Sequence, residues 1–161
     1  MDFTLSNNQI YTNPLIVTSD MLQQITCRQT LHLITQLVDA LAYIHSKYIV
    51  HCDLVPANIL VNLSSFELII TNFGKSKQLE QNDQITLAFD IYGLALCISN
   101  ILHVHNHQNI TYLLNPLLRM CMQDDLYQRP TIEQCREALH VISTYDDEFL
   151  EQKQQIGLNI N

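Results

Sequence analysis

Apolar residues recur along this chain with a helical period over long stretches and with a strand-like density over two short ones. Leu31, Ile34, Leu37, Val38, Leu41 and Ile44 fall on one stripe, with no Gly or Pro to break it, which predicts a helix over about 29–47. Ile59-Leu60-Val61 and Leu68-Ile69-Ile70 are β-prone, and the polar run beginning Asn62-Leu63-Ser64-Ser65 separates them, so they predict a hairpin. From about Asp90 to His103, apolar residues cover too much of the circumference for a surface helix, and a central buried helix is expected there. Asn115-Pro116 has the cap-then-proline order that opens a helix, here to about Met122. Thr131 with Gln134 is a capping-box signal, opening a last helix to about Ser143 with Ile132, Cys135, Ala138, Leu139 and Ile142 inward.

The remaining stretches carry weaker patterns. Residues 1–20 hold short apolar pieces that allow a strand or two, and Ser19 or Asp20 is placed to cap a short helix around 21–26. Residues 75–86 are polar and read as mobile, and the tail from Tyr145 is acidic and then rich in Gln and Asn, frayed or loosely docked. No internal repeat is present. The expected fold is mainly α with a small β-hairpin.

With 161 residues, 47% hydrophobic and 15% charged, the chain has enough apolar content for a real core. The net charge of −8 and the lack of any basic cluster argue against nucleic acid or an anionic membrane as partner. No apolar run reaches the length of a membrane span, and Met1-Asp2-Phe3-Thr4 lacks a signal-peptide pattern. The cysteines at 27, 52, 97, 121 and 135 are odd in number and widely spaced, which reads as reduced thiols in an intracellular protein, cytoplasmic or nuclear.

The stretch with most chemistry is His51-Cys52-Asp53-Leu54-Val55-Pro56-Ala57-Asn58, followed after a short strand pair by Asn72-Phe73-Gly74. Asp53, Asn58 and Asn72 could converge their side-chain oxygens on a metal–phosphate group, as phosphoryl-transfer sites do. The bland reading is that Asp53 and Asn58 cap the loop by bonding nearby backbone. His103-Val104-His105-Asn106-His107 has alternating ligands, but with no carboxylate or cysteine beside it a solvated loop is favoured over a zinc site. For Cys52, a structural thiol is favoured over a reactive one.

His51, Asp53, Leu54, Pro56, Asn58, Phe73 and Gly74 resemble the catalytic loop and magnesium-binding turn of the protein kinase family, H-R-D-x-K-P-x-N and D-F-G. Asp90-Ile91-Tyr92-Gly93-Leu94-Ala95 is similar to the start of that family's central helix, and Arg129-Pro130-Thr131 to its late R-P-T turn. The resemblance covers about 29–143 and implies a kinase-like C-terminal lobe, between a short hinge-like segment at 1–28 and a polar tail at 144–161. It implies that Asp53 sits at the proton-accepting position and that Asn58 and Asn72 sit at the magnesium positions. It implies that Asp90 bonds the loop backbone near His51-Cys52, and that His51 and Phe73 belong to a buried spine.

The departures weigh as much as the matches. Cys52 stands where the family has arginine, Val55 where it has the loop lysine, and Asn72 where it has the second metal-binding aspartate. None of the three glycines precedes the loop, the first lysine is Lys47, and no glutamate precedes Glu67, so the expectation is a lobe lacking its N-terminal partner lobe. Only fifteen residues separate Gly74 from Asp90, with no Pro-Glu pair among them, leaving Arg129 to find Asp124, Asp125 or solvent. The expected function is a truncated, catalytically inactive module that binds a protein partner such as a complete kinase, as decoy, inhibitor or scaffold. It would present apolar surface from the 29–47 helix and the Ile59–Val61 strand. No cofactor is expected. The alternative is a protein kinase with residual Mg-ATP-dependent activity, or one completed by a separate N-terminal lobe.

Overall fold

The computed structural model describes residues 3–4, 10–11, 25–62, 64–80, 83–105 and 107–145. Of the expected short helix at 21–26, residues 21–24 lie outside them, as does the tail beyond 145, while Ile25 and Thr26 are not helical and lead directly into the next helix. The chain opens with an antiparallel pair, β1 (Phe3–Thr4) and β2 (Ile10–Tyr11). Helix α1 (Cys27–Ser46) follows, then β3 (Ile49–Val50) and the polar loop over 51–58. β4 (Ile59–Asn62) and β5 (Glu67–Ile70) form the expected hairpin, with Ile59 opposite Ile70 and Asn62 opposite Glu67. β6 (Lys77–Gln78) returns to pair with β3, and helices α2 (Gln84–His105), α3 (Gln108–Cys121) and α4 (Ile132–Ser143) complete the described chain.

α1 starts at Cys27, two residues before the expected helix, because Thr26 caps it. The Gln29 amide donates to Thr26 Oγ1 at 3.1 Å, and the Gln29 side chain accepts from the Thr26 amide at 2.8 Å. The same reciprocal pair joins Thr131 and Gln134 at the start of α4, where the sequence placed it. Along α1 the stripe from Leu31 to Ile44 is buried against α2, α4 and β5. Gln36 on α1 pins the hairpin: its amide donates to Phe66 O at 2.6 Å and its oxygen accepts from the Leu68 amide at 3.1 Å.

Three expected element positions need correcting. α2 begins at Gln84, not near Asp90, because Asp83 caps it: its carboxylate accepts from the amides of Ile85 and Thr86 and from the Thr86 hydroxyl. The described residues of 75–86 hold the end of a short 3₁₀ turn over Phe73–Lys75, the strand β6 and the first turn of α2. α3 begins at Gln108 and carries Pro116 inside it; Ile110, Leu114, Leu117, Leu118 and Cys121 are buried along one face, which holds the helix through the bond the proline lacks.

α2 is the central helix, as expected. Ile91, Leu94, Ala95, Cys97, Ile98, Ile101 and Leu102 are buried. The stretch Gln84–Val104 has the length and apolarity of a membrane span, contrary to the sequence reading, but 61% of it is buried inside the fold, as in a core helix. The expected apolar surface is displaced too. Ile59 and Val61 are buried, with β2 alongside β4, and the α1 stripe is covered. On the expected helix Tyr43 is exposed, and along α2 Ile85, Phe89, Tyr92 and Leu96 recur on the surface at three- and four-residue spacing.

Candidate functional site

One buried carboxylate shapes the polar loop. Asp90, 1% exposed, accepts from the His51 amide at 2.7 Å and from His45 Nε2 at 3.1 Å through Oδ2, and from the Cys52 amide at 2.9 Å through Oδ1. That grip holds Cys52 at φ 63°, a left-handed conformation that non-glycine residues rarely take. His51 is fully buried; its Nδ1 accepts from the Asp53 amide at 3.3 Å, so the ring proton sits on Nε2 and is donated to Thr71 O at 3.0 Å. Asn58 O accepts from both the amide and the hydroxyl of Thr71, tying the loop to the turn that carries Asn72.

Asp53, Asn58 and Asn72, the three residues singled out from the sequence, meet at this junction. Asn58 Nδ2 donates to Asp53 O at 2.7 Å and reaches Asp53 Oδ2 at 3.3 Å, which makes Asn58 a loop cap. Its Nδ2 being committed, Asn58 presents Oδ1 to the turn, and the atom 3.1 Å from it must be the donor Nδ2 of Asn72. Asn72 takes φ 64°, which asparagine tolerates better than most side chains.

Lys75 closes the group. Its Nζ donates to Asp53 Oδ1 at 3.0 Å, a partner that sequence reasoning missed because it read 75–86 as one polar, mobile stretch. The Lys75 ammonium, helped by the Asn58 amide, holds the Asp53 carboxyl below its ordinary value. In Lys75→Met, the Asp53 titration followed by carboxyl-carbon NMR is expected to move up toward the ordinary value of about 3.9. An unchanged titration would show that Lys75 does not set it.

The protein kinase domain family model matches residues 10–93, more than half of the chain. The chain belongs to the protein kinase family. It is 38% identical over 88 residues to the serine/threonine-protein kinase KDX1 of Saccharomyces cerevisiae, covering 51% of this chain and 20% of that protein. It is 33% identical over 85 residues to mitogen-activated protein kinase 3 of Arabidopsis thaliana, covering 49% of this chain and 23% of that kinase. With human 3-phosphoinositide-dependent protein kinase 1 it shares 39% over 64 residues, 40% of this chain and 11% of the relative. The chain thus spans about a quarter or less of the length of these relatives, and the elements described are those of a kinase-like C-terminal lobe.

Other kinase-motif residues are placed less as expected. Phe73 meets the His51 ring edge-on, with centroids 4.8 Å apart, but is 44% exposed rather than buried in a spine, because the 3₁₀ turn carries it to the open side of the loop. Arg129 pairs with neither Asp124 nor Asp125. It donates to Gln123 O at 2.7 Å and to Ala88 O at 2.9 Å, and lies over the Tyr92 ring at 5.1 Å, so two carbonyls and an aromatic face take the place of a carboxylate. Cys52 is exposed, and desolvation with the nearby Asp90 carboxylate pushes its thiol pKa up, the wrong direction for a reactive thiol. His103 lies on α2, which runs on through His105, and His107 Nε2 donates to Ile25 O at 3.0 Å; no group of three metal ligands exists among the described residues.

Proposed function

We propose that this kinase-family lobe transfers no phosphate and works by binding a protein partner, a complete kinase being the expected class, as decoy, inhibitor or scaffold. The observation that carries the reading is the Asn72–Asn58 hydrogen bond: the oxygen of Asn58 that would face a magnesium ion already accepts from Asn72 Nδ2. The only carboxylate in the group, Asp53, is engaged by Lys75. A hard divalent cation with few protein ligands relies on carboxylates, and this donor set does not fit one. Val55, half-buried beside Asp53, brings neither charge nor donor to a transferring phosphate. The exposed row of Ile85, Phe89, Tyr92 and Leu96 supports a binding role.

The test is a transfer assay with radiolabelled ATP, magnesium or manganese and generic protein substrates, beside a titration of the chain into assays of complete serine/threonine kinases. The chain is expected to label nothing beyond an Asp53→Asn control and to change the rate of a kinase it binds. Labelling that Asp53→Asn abolishes would overturn the proposal. It would favour the second reading, a phosphotransferase completed by a separate N-terminal lobe, for which the specific support is Lys75, a cation beside Asp53 where Val55 supplies none.

A further inference from the structure

Outside the loop, one cluster of reactive groups is left unexplained. Cys121 is the last residue of α3 and Cys135 lies in the first turn of α4, and their sulfurs approach to 3.8 Å in the core. We propose that Cys121 and Cys135 are an oxidation site that forms a reversible disulfide by exchange with a small disulfide such as oxidised glutathione.

The two thiols are not equivalent. The two sulfurs share one S–H···S contact, and that contact, with the Arg129 charge nearby, lowers the Cys121 pKa against its burial. Cys135 is pushed up by the same contact and by burial. Cys121 ends α3 directly beside the exposed segment and has the Arg129 charge nearby to favour a thiolate, so it is the attacking thiol. Its sulfur displaces one glutathione from the small disulfide and forms a mixed disulfide. Cys135 then loses its proton, attacks the Cys121 sulfur and displaces the second glutathione. Two protein thiols and one glutathione disulfide become one protein disulfide and two glutathione thiols.

Access comes from position. Both cysteines sit at helix ends flanking residues 122–131, where Gln123, Asp124, Asp125, Tyr127 and Gln128 are exposed, and such ends open locally at lower cost than helix centres. Cys97, in the middle of α2 with its pKa pushed up to about 12 by burial, has neither feature. The bridge would close a ring around the segment that lays Arg129 against Ala88 and Tyr92, fixing that strap to the base of the central helix.

The purified full chain is equilibrated, folded, in glutathione buffers of graded redox ratio, alkylated, and mapped by peptide mass spectrometry without reduction. The expected product is a Cys121–Cys135 bridge, two hydrogens lighter, reversed by dithiothreitol, with a melting temperature raised by several degrees. Cys121 and Cys135 both remaining free while exposed Cys52 takes up glutathione would overturn the proposal, as would a bridge that forms only in urea. In Cys135→Ser, Cys121 is expected to carry glutathione as a stable mixed disulfide. A folded Cys135→Ser with Cys121 unmodified would overturn its role as the attacking thiol, and the wild-type map stands whether or not that variant folds.

Discussion

Replacing Asp90 by alanine is expected to cost the fold about 4 kcal/mol, since breaking a buried charged network by removing one partner costs roughly 3–5 kcal/mol. The carboxylate is 1% exposed and is shared by the amides of His51 and Cys52 and the ring of His45, so the truncation leaves two buried donors and one part-buried donor without their acceptor. It also releases Cys52 from the left-handed backbone that the two amide bonds impose. Against a total stability of about 5–15 kcal/mol, that is a large fraction. Asp90→Asn keeps one good acceptor but turns an NH₂ group toward a donor, and should lie between the two. Urea unfolding measures both, as a shift in midpoint at unchanged slope. A loss under about 1 kcal/mol for Asp90→Ala would mean that the loop is held by something else.

Gly93→Ala is expected to destabilise by about 2 kcal/mol or more, the cost of overpacking, although glycine-to-alanine inside a helix ordinarily stabilises by about 1 kcal/mol. The reversal comes from contact. A Cβ on Gly93 would stand 2.4 Å from Leu54 O and 2.9 Å from Leu54 Cβ, so the obstacle is the backbone of the polar loop rather than a side chain that can swing away. α2 and the loop touch there because glycine lets them. Since Leu54 adjoins Asp53, the variant should also shift the amide resonances of Asp53 and Asn58, a local effect that a distant core defect would not produce. A stabilised Gly93→Ala would show that the loop yields freely, and the close packing of helix and loop would lose its structural meaning.

Much of this was legible in the sequence wherever the signal was local. The α1 stripe, the β4–β5 hairpin and the Thr131–Gln134 capping box each lie within a few turns of chain, and each formed where the pattern put it. The grouping of Asp53, Asn58 and Asn72 was legible because a helix, a tight loop and a hairpin leave those residues one place to go. What escaped depends on partners distant in sequence or on polar residues that look alike. Asp83 is one acid in a polar run, and only its bonds to Ile85 and Thr86 mark it as a helix start. Pro116 reads as a helix opener until the buried face of α3 is known to extend back to Ile110. Lys75 bonds Asp53 across twenty-two residues, and Arg129 reaches Ala88 across forty-one, and no periodicity encodes either contact.

The claim that the Asn58–Asn72 junction does not take a magnesium-bound nucleotide is tested most directly by thermal unfolding of the purified chain with and without ATP and magnesium. A ligand at a hundred times its dissociation constant stabilises a fold by about 2.7 kcal/mol, several degrees for a chain of this size. The expected result is a melting temperature that does not move. A magnesium-dependent rise of several degrees that disappears in Asn58→Ala would contradict the account and place a working metal site in this lobe.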